Sequence, residues 1–123
     1  MIRPFLTICI VNWNTSGLLR ECLGSIFDDP DSDDWEVIVV DNASSDDSVE
    51  MVRNEFSRVK LLVSSTNLGF VSANNWAMEE ALSDYWLLLN SDTRVGIGSI
   101  SILIDFLNQH PEAAVVGPRL IRN

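Results

Sequence analysis

The stretch EVIVVD, from Glu36 to Asp41, decides the fold. Val37-Ile38-Val39-Val40 are four consecutive β-branched residues, a pattern that predicts a β-strand. Because no polar residue interrupts them, we expect the strand to be buried on both faces, as in a parallel sheet covered by helices. The polar residues 42–47 follow at once and predict a helix start, with Asp47 and Glu50 spaced as a capping box.

The rest of the chain repeats this alternation of strand and helix. Short apolar runs predict four further strands, Leu6 to Val11, Lys60 to Val63, Tyr85 to Leu89 and Ala113 to Val116. Apolar residues at helical spacing predict helices over 16–28, after Asp47, over about 72–82 and over 98–109. The sequence therefore predicts a doubly wound α/β fold, a mainly parallel sheet with helices on both faces.

Length and composition predict one soluble globular domain over 1–123. The chain has 123 residues, 46% of them hydrophobic and 21% charged, which is typical of a folded domain. Eighteen acidic against eight basic residues give a net charge of −10, so nucleic acid is not an expected partner. The acidic run from Asp28 to Glu36 lacks the spacing of a calcium loop and is predicted to be a solvated turn.

Compartment and surface features point to the cytoplasm. No apolar run approaches the roughly 20 residues that span a bilayer, and the amino terminus lacks the pattern of a secretory signal. Cys9 and Cys22 lie in apolar stretches and are predicted to be buried thiols in a reducing compartment. His110, before Pro111, is predicted to lie at the surface or at a helix end.

Several common nucleotide-binding folds are disfavoured by the first loop. That loop holds one glycine, Gly17, and lacks the glycine-rich patterns of dinucleotide-binding enzymes and P-loop proteins. The only lysine is Lys60, whereas a response-regulator receiver would have a lysine late in the chain. A nucleotidyltransferase of similar architecture would have a glycine-rich basic loop after the first strand.

Ligands of doubly wound sheets bind beyond the carboxyl ends of the strands, so the polar strand ends are the candidate site. Asp92 follows a dry strand and is a candidate anchor for a divalent cation, which takes one or two carboxylates when phosphates supply other ligands. The alternative is that 90–93 form a turn closing the strand. Asp41 either accepts a hydrogen bond from a base or ribose or caps the next helix.

Three other positions carry two interpretations each. Trp13 lies against a base or sugar, or covers the core. Asn67 and Gly69 allow a backbone to approach a ligand before the next helix, or simply form a turn.

Taken together, four blocks resemble the amino-terminal half of the family 2 glycosyltransferases, in particular the rhamnosyltransferase-like branch. The blocks are IVNWNTSGLLRECLGSI, VIVVDNASSDDSVE, NLGFVSANNWAM and WLLLNSDT, in this order. The resemblance implies a GT-A nucleotide-sugar-binding domain. It also implies transfer of a sugar, with inversion, from a UDP- or dTDP-sugar to a hydroxyl of a saccharide or lipid-linked acceptor.

The resemblance also implies roles for particular residues. The segment matching Val11, Trp13 and Asn14 lines the base, and Asp41 matches an aspartate that contacts the base ring. The block from Asn67 through Gly69 to Asn75 borders the nucleotide and the sugar. The family's D-x-D element falls on Asn90, Ser91 and Asp92, so that Asp92 is the expected ligand of Mg²⁺ or Mn²⁺ and the neutral Asn90 departs from the pattern.

The family places its catalytic base further along the chain than Asn123, so no catalytic residue is assigned here. We expect this chain to be the donor-binding half of a longer cytoplasmic enzyme, and association with the inner face of the membrane stays open. The alternative from another class is a non-catalytic α/β nucleotide-binding or interaction module. In either case an open sheet edge leaves homodimerisation as an alternative.

Overall fold

A computed structural model describes residues 3–119. Four strands alternate with four α-helices, and one short 3₁₀ helix precedes the second strand. The elements are β1 (Leu6–Asn12), α1 (Ser16–Phe27), the 3₁₀ helix (Pro30–Asp34), β2 (Trp35–Asn42), α2 (Ser48–Glu55), β3 (Lys60–Ser64), α3 (Gly69–Glu80), β4 (Tyr85–Asn90) and α4 (Ser99–Gln109).

The four strands form one parallel sheet in the order β3-β2-β1-β4. The chain winds outward from β1 through β2 to β3 and then crosses back to place β4 on the other side of β1. The switch point therefore lies between β1 and β4. The register aligns Asn12 with Asp41 and Val11 with Asn90, so these strand ends meet at one edge of the sheet.

Helices cover both faces, which confirms the predicted doubly wound fold. One core joins β1 and β2 to buried residues of α1 and α2 and to Ile100 of α4. On the other face, Ala73 and Ala77 of α3 pack against Cys9, Ile38 and Val40. The two alanines lie four residues apart on one side of α3, and their small side chains let the helix lie close to the sheet.

The strands run one residue further than the apolar pattern predicts. The predicted ends were Val11, Asp41, Val63 and Leu89, whereas the observed ends are Asn12, Asn42, Ser64 and Asn90. Backbone pairing with parallel neighbours does not depend on side-chain polarity. Each strand therefore holds a polar side chain in a fixed place at the carboxyl edge of the sheet.

The predicted fifth strand, Ala113 to Val116, is wrong. Residues 113–119 have no regular structure, and residues 113–118 line a groove of about 750 Å³ together with β4 and α4. Gly117 and Pro118 follow the apolar run, and proline has no N–H to donate to a sheet. A run of four apolar residues becomes a strand only when its backbone pairs, and this segment does not pair with β4.

Two local predictions also need correction. The acidic run is not wholly a solvated turn, because Pro30–Asp34 form the 3₁₀ helix and Asp29 is only 2% exposed. The capping box at Asp47 does not form. The carboxylate of Asp46 instead accepts hydrogen bonds from the backbone and side chain of Ser48, so the helix is capped one residue earlier than the spacing suggested.

The amino edge of the sheet carries a polar group of three side chains, which we call the amino-edge cluster: the buried Thr7 and Ser83 and the half-buried Glu36. The Thr7 hydroxyl is fully buried, donates to Glu36 Oε1 at 2.8 Å and lies 2.6 Å from Ser83 Oγ. Glu36 Oε1 also accepts from the backbone N–H of Leu82 at 2.9 Å. These bonds tie the connection between α3 and β4 to β1 and β2.

The predicted positions of the two cysteines and of His110 are confirmed. Cys9 and Cys22 are buried free thiols, and desolvation raises the pKa of each thiol to about 11. His110 ends α4, where its ring stacks on Phe106. Within residues 3–119 the helices are too short, or too polar, to traverse a lipid bilayer.

Candidate functional site

The ends of β1 and β2 are joined by side chains. Asn12 and Asp41 are both buried, and Asn12 Nδ2 donates to Asp41 Oδ1 at 3.2 Å. The Ser44 hydroxyl donates to Asp41 Oδ1 at 2.7 Å, and its backbone N–H donates to Asp41 Oδ2 at 2.9 Å. Asp41 therefore closes the turn that follows β2, rather than capping α2.

The turn after β2 contains a strained residue. Ala43 has a φ of +66°, in the left-handed region that favours glycine over residues with a Cβ. The three hydrogen bonds to Asp41 hold the backbone on either side of Ala43 in this conformation. Strain of this kind is concentrated at functional sites.

Asn14 links the loop after β1 to the loop after β2. Its φ is +53°, a conformation that asparagine tolerates better than most residues. Asn14 Oδ1 accepts from the backbone N–H of Ser45 at 2.7 Å, and the Asn14 N–H donates to Ser44 Oγ at 2.9 Å. The loop geometry is thus set by contacts some 30 residues apart in the chain.

Asp46 connects two helix starts. Its Oδ2 accepts from the backbone N–H of Ser16, the first residue of α1, at 3.1 Å, and its Oδ1 caps α2 at Ser48. Desolvation acts to raise the pKa of Asp46, but the hydrogen bonds from Ser48 and Ser16 outweigh it and lower the pKa. The carboxylate is therefore held in its charged form.

The end of β4 lies against the loop after β1. The Thr15 hydroxyl donates to Asn12 Oδ1 at 2.6 Å and lies 3.1 Å from Ser91 Oγ. The turn after β4 is closed by the Asn90 carbonyl, which accepts from the Thr93 N–H and hydroxyl. We call Asn12, Asn14, Thr15, Asp41, Ser44 and Ser91 the carboxyl-edge cluster.

The Asp92 side chain takes no part in this turn. Among residues 3–119, its carboxylate forms no hydrogen bond and no ion pair, and the residue is exposed. Residues 90–93 do form the turn that closes β4, as the alternative interpretation predicts, but backbone and Thr93 close it without the Asp92 carboxylate. A free carboxylate remains beside the carboxyl-edge cluster.

The loop before α3 is attached to the same edge by Asn42. This buried side chain accepts from the Leu68 N–H at 2.8 Å and donates to the Gly69 carbonyl at 3.2 Å. Asn67 Oδ1 accepts from the Gly69 N–H, and Gly69 has a φ of +79° with open space where a Cβ would stand. Helix α3 begins here, three residues earlier than predicted.

The other predicted site residues are less closely connected to the cluster. Trp13 is 56% exposed and so does not cover the core. The Val11 side chain packs against the core on the α3 face. Asn75 and Asn90 are exposed on α3 and at the end of β4.

Five residues that organise the site have no individual role predicted from the sequence, namely Asn12, Thr15, Asn42, Ser44 and Asp46, although Asn12, Asn42 and Ser44 lie in the polar strand ends that form the predicted site. Asn12 and Asn42 are the polar residues that extend β1 and β2 by one position. The available signal for both is a polar residue at the end of a mainly apolar run, directly after Val11 in β1 and after Asp41 in β2. The contacts of Thr15 and Asp46 join residues about 30 or more positions apart, and a single sequence carries no comparable signal for them.

The donor set restricts the metal that this edge could hold. Within the described part of the chain, no three histidine, cysteine or acidic side chains group together as metal ligands. Asp92 offers oxygen ligands, which suit Mg²⁺ or Mn²⁺ when most other ligands come from phosphates and water. A single free carboxylate fits a cation that is shared with a bound diphosphate.

The negative charge at this edge of the sheet also requires a cation if a diphosphate is to bind. The hydrogen-bonded edge carries the carboxylates of Asp41 and Asp46, and Asp92 adds a third nearby. Arg94, the basic residue nearest to Asp92 in the chain, pairs with Glu21 at 2.8 Å. A diphosphate would be repelled by these carboxylates unless a cation lay between them.

Comparison with known proteins agrees with this architecture. Residues 7–123 match the family model described as Glycosyl transferase family 2. An N-acetylglucosaminyl-diphospho-decaprenol L-rhamnosyltransferase of Mycobacterium tuberculosis is 31% identical over 98 residues, which cover 71% of this chain and 32% of the relative.

Two solved structures share the fold. A mannosyltransferase from Pyrobaculum calidifontis, in complex with GDP-Man and Mn²⁺, superposes with a TM-score of 0.79 at 24% identity. TarS of S. aureus, in complex with UDP-GlcNAc, superposes with a TM-score of 0.74 at 24% identity. Each comparison covers 87% of this chain and about a third of the solved chain.

The chain spans less than half the length of the curated relatives it matches. The family model nevertheless covers all but the first six residues, and the fold agrees with GT-A glycosyltransferase structures. The chain therefore belongs to glycosyl transferase family 2.

Proposed function

We propose that this chain binds a nucleoside-diphosphate sugar and that the protein carrying it transfers the sugar to an acceptor hydroxyl with inversion. The observation that carries the proposal is the carboxylate of Asp92, which has no partner within residues 3–119 and lies beside the hydrogen-bonded ends of β1, β2 and β4. This arrangement lies at the switch point of the sheet, where ligands of such folds bind.

In the proposed site, Asp92 would hold Mg²⁺ or Mn²⁺ together with the diphosphate of the donor. Such a cation supplies Lewis acidity, because it neutralises charge that develops on the leaving diphosphate. Asn90 and Ser91 would then contact ribose or phosphate. The named relative from P. calidifontis was crystallised with Mn²⁺, which supports the choice of cation.

The base of the nucleotide is proposed to lie over the ends of β1 and β2. The exposed indole of Trp13 offers an apolar face, with Val11 and Asn14 beside it. Asp41 already accepts three hydrogen bonds, and a carboxylate has about four acceptor positions. One position is left for the imide N–H of a pyrimidine base, which UDP and dTDP share.

The sugar is proposed to lie toward the start of α3. Gly69 has open space around it, Asn67 holds the turn, and Asn75 is exposed further along the helix. We assign no residue of this chain as the base that accepts the acceptor's proton, because the resemblance puts that carboxylate beyond position 123.

The acceptor is proposed to be a saccharide or a lipid-linked saccharide at the cytoplasmic face of the membrane. The support is the M. tuberculosis relative, whose name specifies N-acetylglucosaminyl-diphospho-decaprenol. The same relative supports the rhamnosyltransferase-like branch, and TarS in complex with UDP-GlcNAc supports a UDP-sugar as donor.

Titration calorimetry of the 123-residue chain tests the proposal. UDP, dTDP and GDP are each titrated with and without Mn²⁺, into the unaltered chain and into Asp92→Ala. We expect binding of UDP or dTDP that tightens with Mn²⁺, and we expect Asp92→Ala to abolish the tightening. GDP binding in preference to both would overturn the pyrimidine donor, and no binding by a folded chain would overturn the proposed function.

Asp84→Ala is the matched control. Asp84 is an exposed aspartate at the opposite end of the same strand, where it pairs with Arg3. Exposed ion pairs contribute little to stability, so this variant keeps the fold and the charge change of Asp92→Ala. Loss of the Mn²⁺ effect in Asp84→Ala as well would mean that net charge, rather than Asp92, attracts the cation. A non-catalytic interaction module would bind no nucleotide in any of these titrations.

A further inference from the structure

The loop that carries Asp92, residues 91–98, is fastened to α1 by a row of three side chains. Glu21, Ser25 and Asp29 lie four positions apart, so they follow one line along α1 and the turn after it. We call them the anchor row. Each contacts the loop, at Arg94, Val95 and Gly98 respectively.

The contact of Asp29 is the most buried of the three. Asp29 is 2% exposed, and its Oδ2 accepts from the backbone N–H of Gly98 at 3.0 Å. Its Oδ1 accepts from the Asp31 N–H at 3.0 Å. The carboxylate therefore has two backbone partners, one on each side, and fixes the end of the loop where α4 begins.

Gly98 gives this end of the loop a backbone conformation that favours glycine. Its φ of +84° lies in the left-handed region and precedes the first residue of α4. A carboxylate at the start of a helix is also favoured by the helix dipole. Asp29 thus holds the chain at the point where it changes direction from the loop into α4.

Ser25 fixes the middle of the loop. Its hydroxyl donates to the Cys22 carbonyl at 2.7 Å and accepts from the Val95 N–H at 2.9 Å. Since the hydroxyl is committed to its own helix as a donor, its acceptor position points to the loop. Glu21 pairs with Arg94 at 2.8 Å, but both side chains are half exposed or more. Exposed ion pairs of this kind contribute little to stability.

The other end of the loop is fixed as well. Ser91 lies against Thr15, and the Cys22 thiol donates to the Asn90 carbonyl at 3.8 Å. The backbone is therefore held on both sides of Asp92, while the Asp92 carboxylate itself has no partner among residues 3–119. A carboxylate on a fixed backbone loses less freedom when it binds a cation.

We propose that Ser25 and Asp29 are positioning residues for Asp92: they hold loop 91–98 at Val95 and Gly98, so that the cation ligand keeps its place beside the end of β1. This inference rests on the proposed function, because it takes Asp92 as the cation ligand. Neither residue touches donor or cation in this scheme, and both act through the backbone of the loop.

The test compares UDP affinity with and without Mn²⁺ in the unaltered chain, Ser25→Ala and Asp29→Asn. Replacing a residue that supports a metal ligand commonly lowers metal affinity tenfold or more. We call the increase in UDP affinity on adding Mn²⁺ the Mn²⁺ gain, and we expect it to fall about tenfold in both variants. The UDP affinity without metal should stay within about twofold of that of the unaltered chain. Peptides covering 93–98 should exchange amide hydrogen faster in both variants. Ser25→Ala keeps the test decisive should Asp29→Asn fold poorly.

Two controls separate positioning from a general loss of stability. Thr7→Val removes a buried hydroxyl from the amino-edge cluster, far from the loop, and should lower stability while leaving the Mn²⁺ gain intact. Glu55→Gln breaks the Arg20 ion pair between α1 and α2 and should change neither quantity.

The possible results distinguish the two proposals. An unaltered chain that binds UDP with no Mn²⁺ gain overturns the role of Asp92 in the proposed function, and this inference with it. An unaltered chain with a clear gain that Ser25→Ala and Asp29→Asn both retain overturns this inference alone. An equal loss of the gain in Thr7→Val also overturns it, since the effect would then follow stability.

Discussion

The two edges of the sheet each carry a hydrogen-bonded polar cluster, and they differ in what they leave free. At the amino edge, Thr7, Glu36 and Ser83 bond to one another and to neighbouring backbone. At the carboxyl edge, the cluster is equally well bonded, yet Asp92 beside it has no partner within residues 3–119. The first arrangement stabilises a fold, and the second holds a charged group ready for a ligand.

The same contrast applies to backbone geometry. The carboxyl edge contains Asn14, Ala43 and Gly69 at positive φ, whereas the strands that form the amino edge enter the sheet without such residues. A positive φ costs free energy at a residue with a Cβ, such as Ala43, and the hydrogen bonds that Asp41 accepts from Ser44 offset that cost. Replacements at the two edges should therefore affect binding and stability differently.

Asp41→Ala should give the largest combined effect. The replacement leaves Asn12 Nδ2 and the Ser44 N–H without their buried acceptor, so the free energy of unfolding should fall by about 3 kcal/mol. Nucleotide affinity should fall as well, with the fold retained. Urea unfolding and calorimetry with UDP measure the two quantities. Unchanged affinity in the folded variant would mean that Asp41 only closes its turn.

Thr7→Val should lower stability without affecting binding. The fully buried hydroxyl bonds to Glu36 and Ser83, and its loss leaves both with one partner fewer, which costs about 2 kcal/mol. Urea unfolding measures the change, and Thr66→Val, at an exposed position, is the control. A fall in UDP affinity in Thr7→Val would show that the two edges are coupled and would break the comparison.

Asp46 should contribute a smaller, pH-dependent stabilisation. Its pKa is lowered in the folded chain, so its contribution is present above the unfolded pKa of about 4 and is lost as the pH falls through the folded pKa. Unfolding midpoints of the unaltered chain and Asp46→Asn should differ at neutral pH and converge in acid. A difference that persists well below the folded pKa would contradict this assignment.

The layers of the fold were predictable from the sequence, because a strand buried on both faces has an uninterrupted apolar run and a covering helix has apolar residues at helical spacing. Val37 to Val40 identify a central strand, and Ile102 to Leu107 lie in a helix as their spacing requires. The polar continuation of each strand was missed, because Asn12 and Asn42 pair through backbone atoms that all residues share. Ala113 to Val116 had the composition of a strand, but composition does not supply a pairing partner.

The site was less predictable than the fold. Asp41, Asn90 and Asp92 were recognisable because they end apolar strands. The contacts of Ser25 with Val95 and of Asp29 with Gly98 join residues about 70 positions apart, and Asp29 sits in a run of acidic residues that looked uniformly solvated. The left-handed conformation of Ala43 could not be predicted from the residue type, since alanine does not favour a positive φ.

The strand order has a kinetic consequence. The inner strand β1 is synthesised before the other three strands of this sheet, yet its partner β4 begins 79 residues later, with Leu6 aligned to Tyr85. Strands so far apart in the chain pair slowly, because the entropy of closing the loop between them is lost before their stabilising contacts form. A nascent chain therefore exposes one side of its innermost strand until β4 is complete, and Asp92 is placed in the same late step.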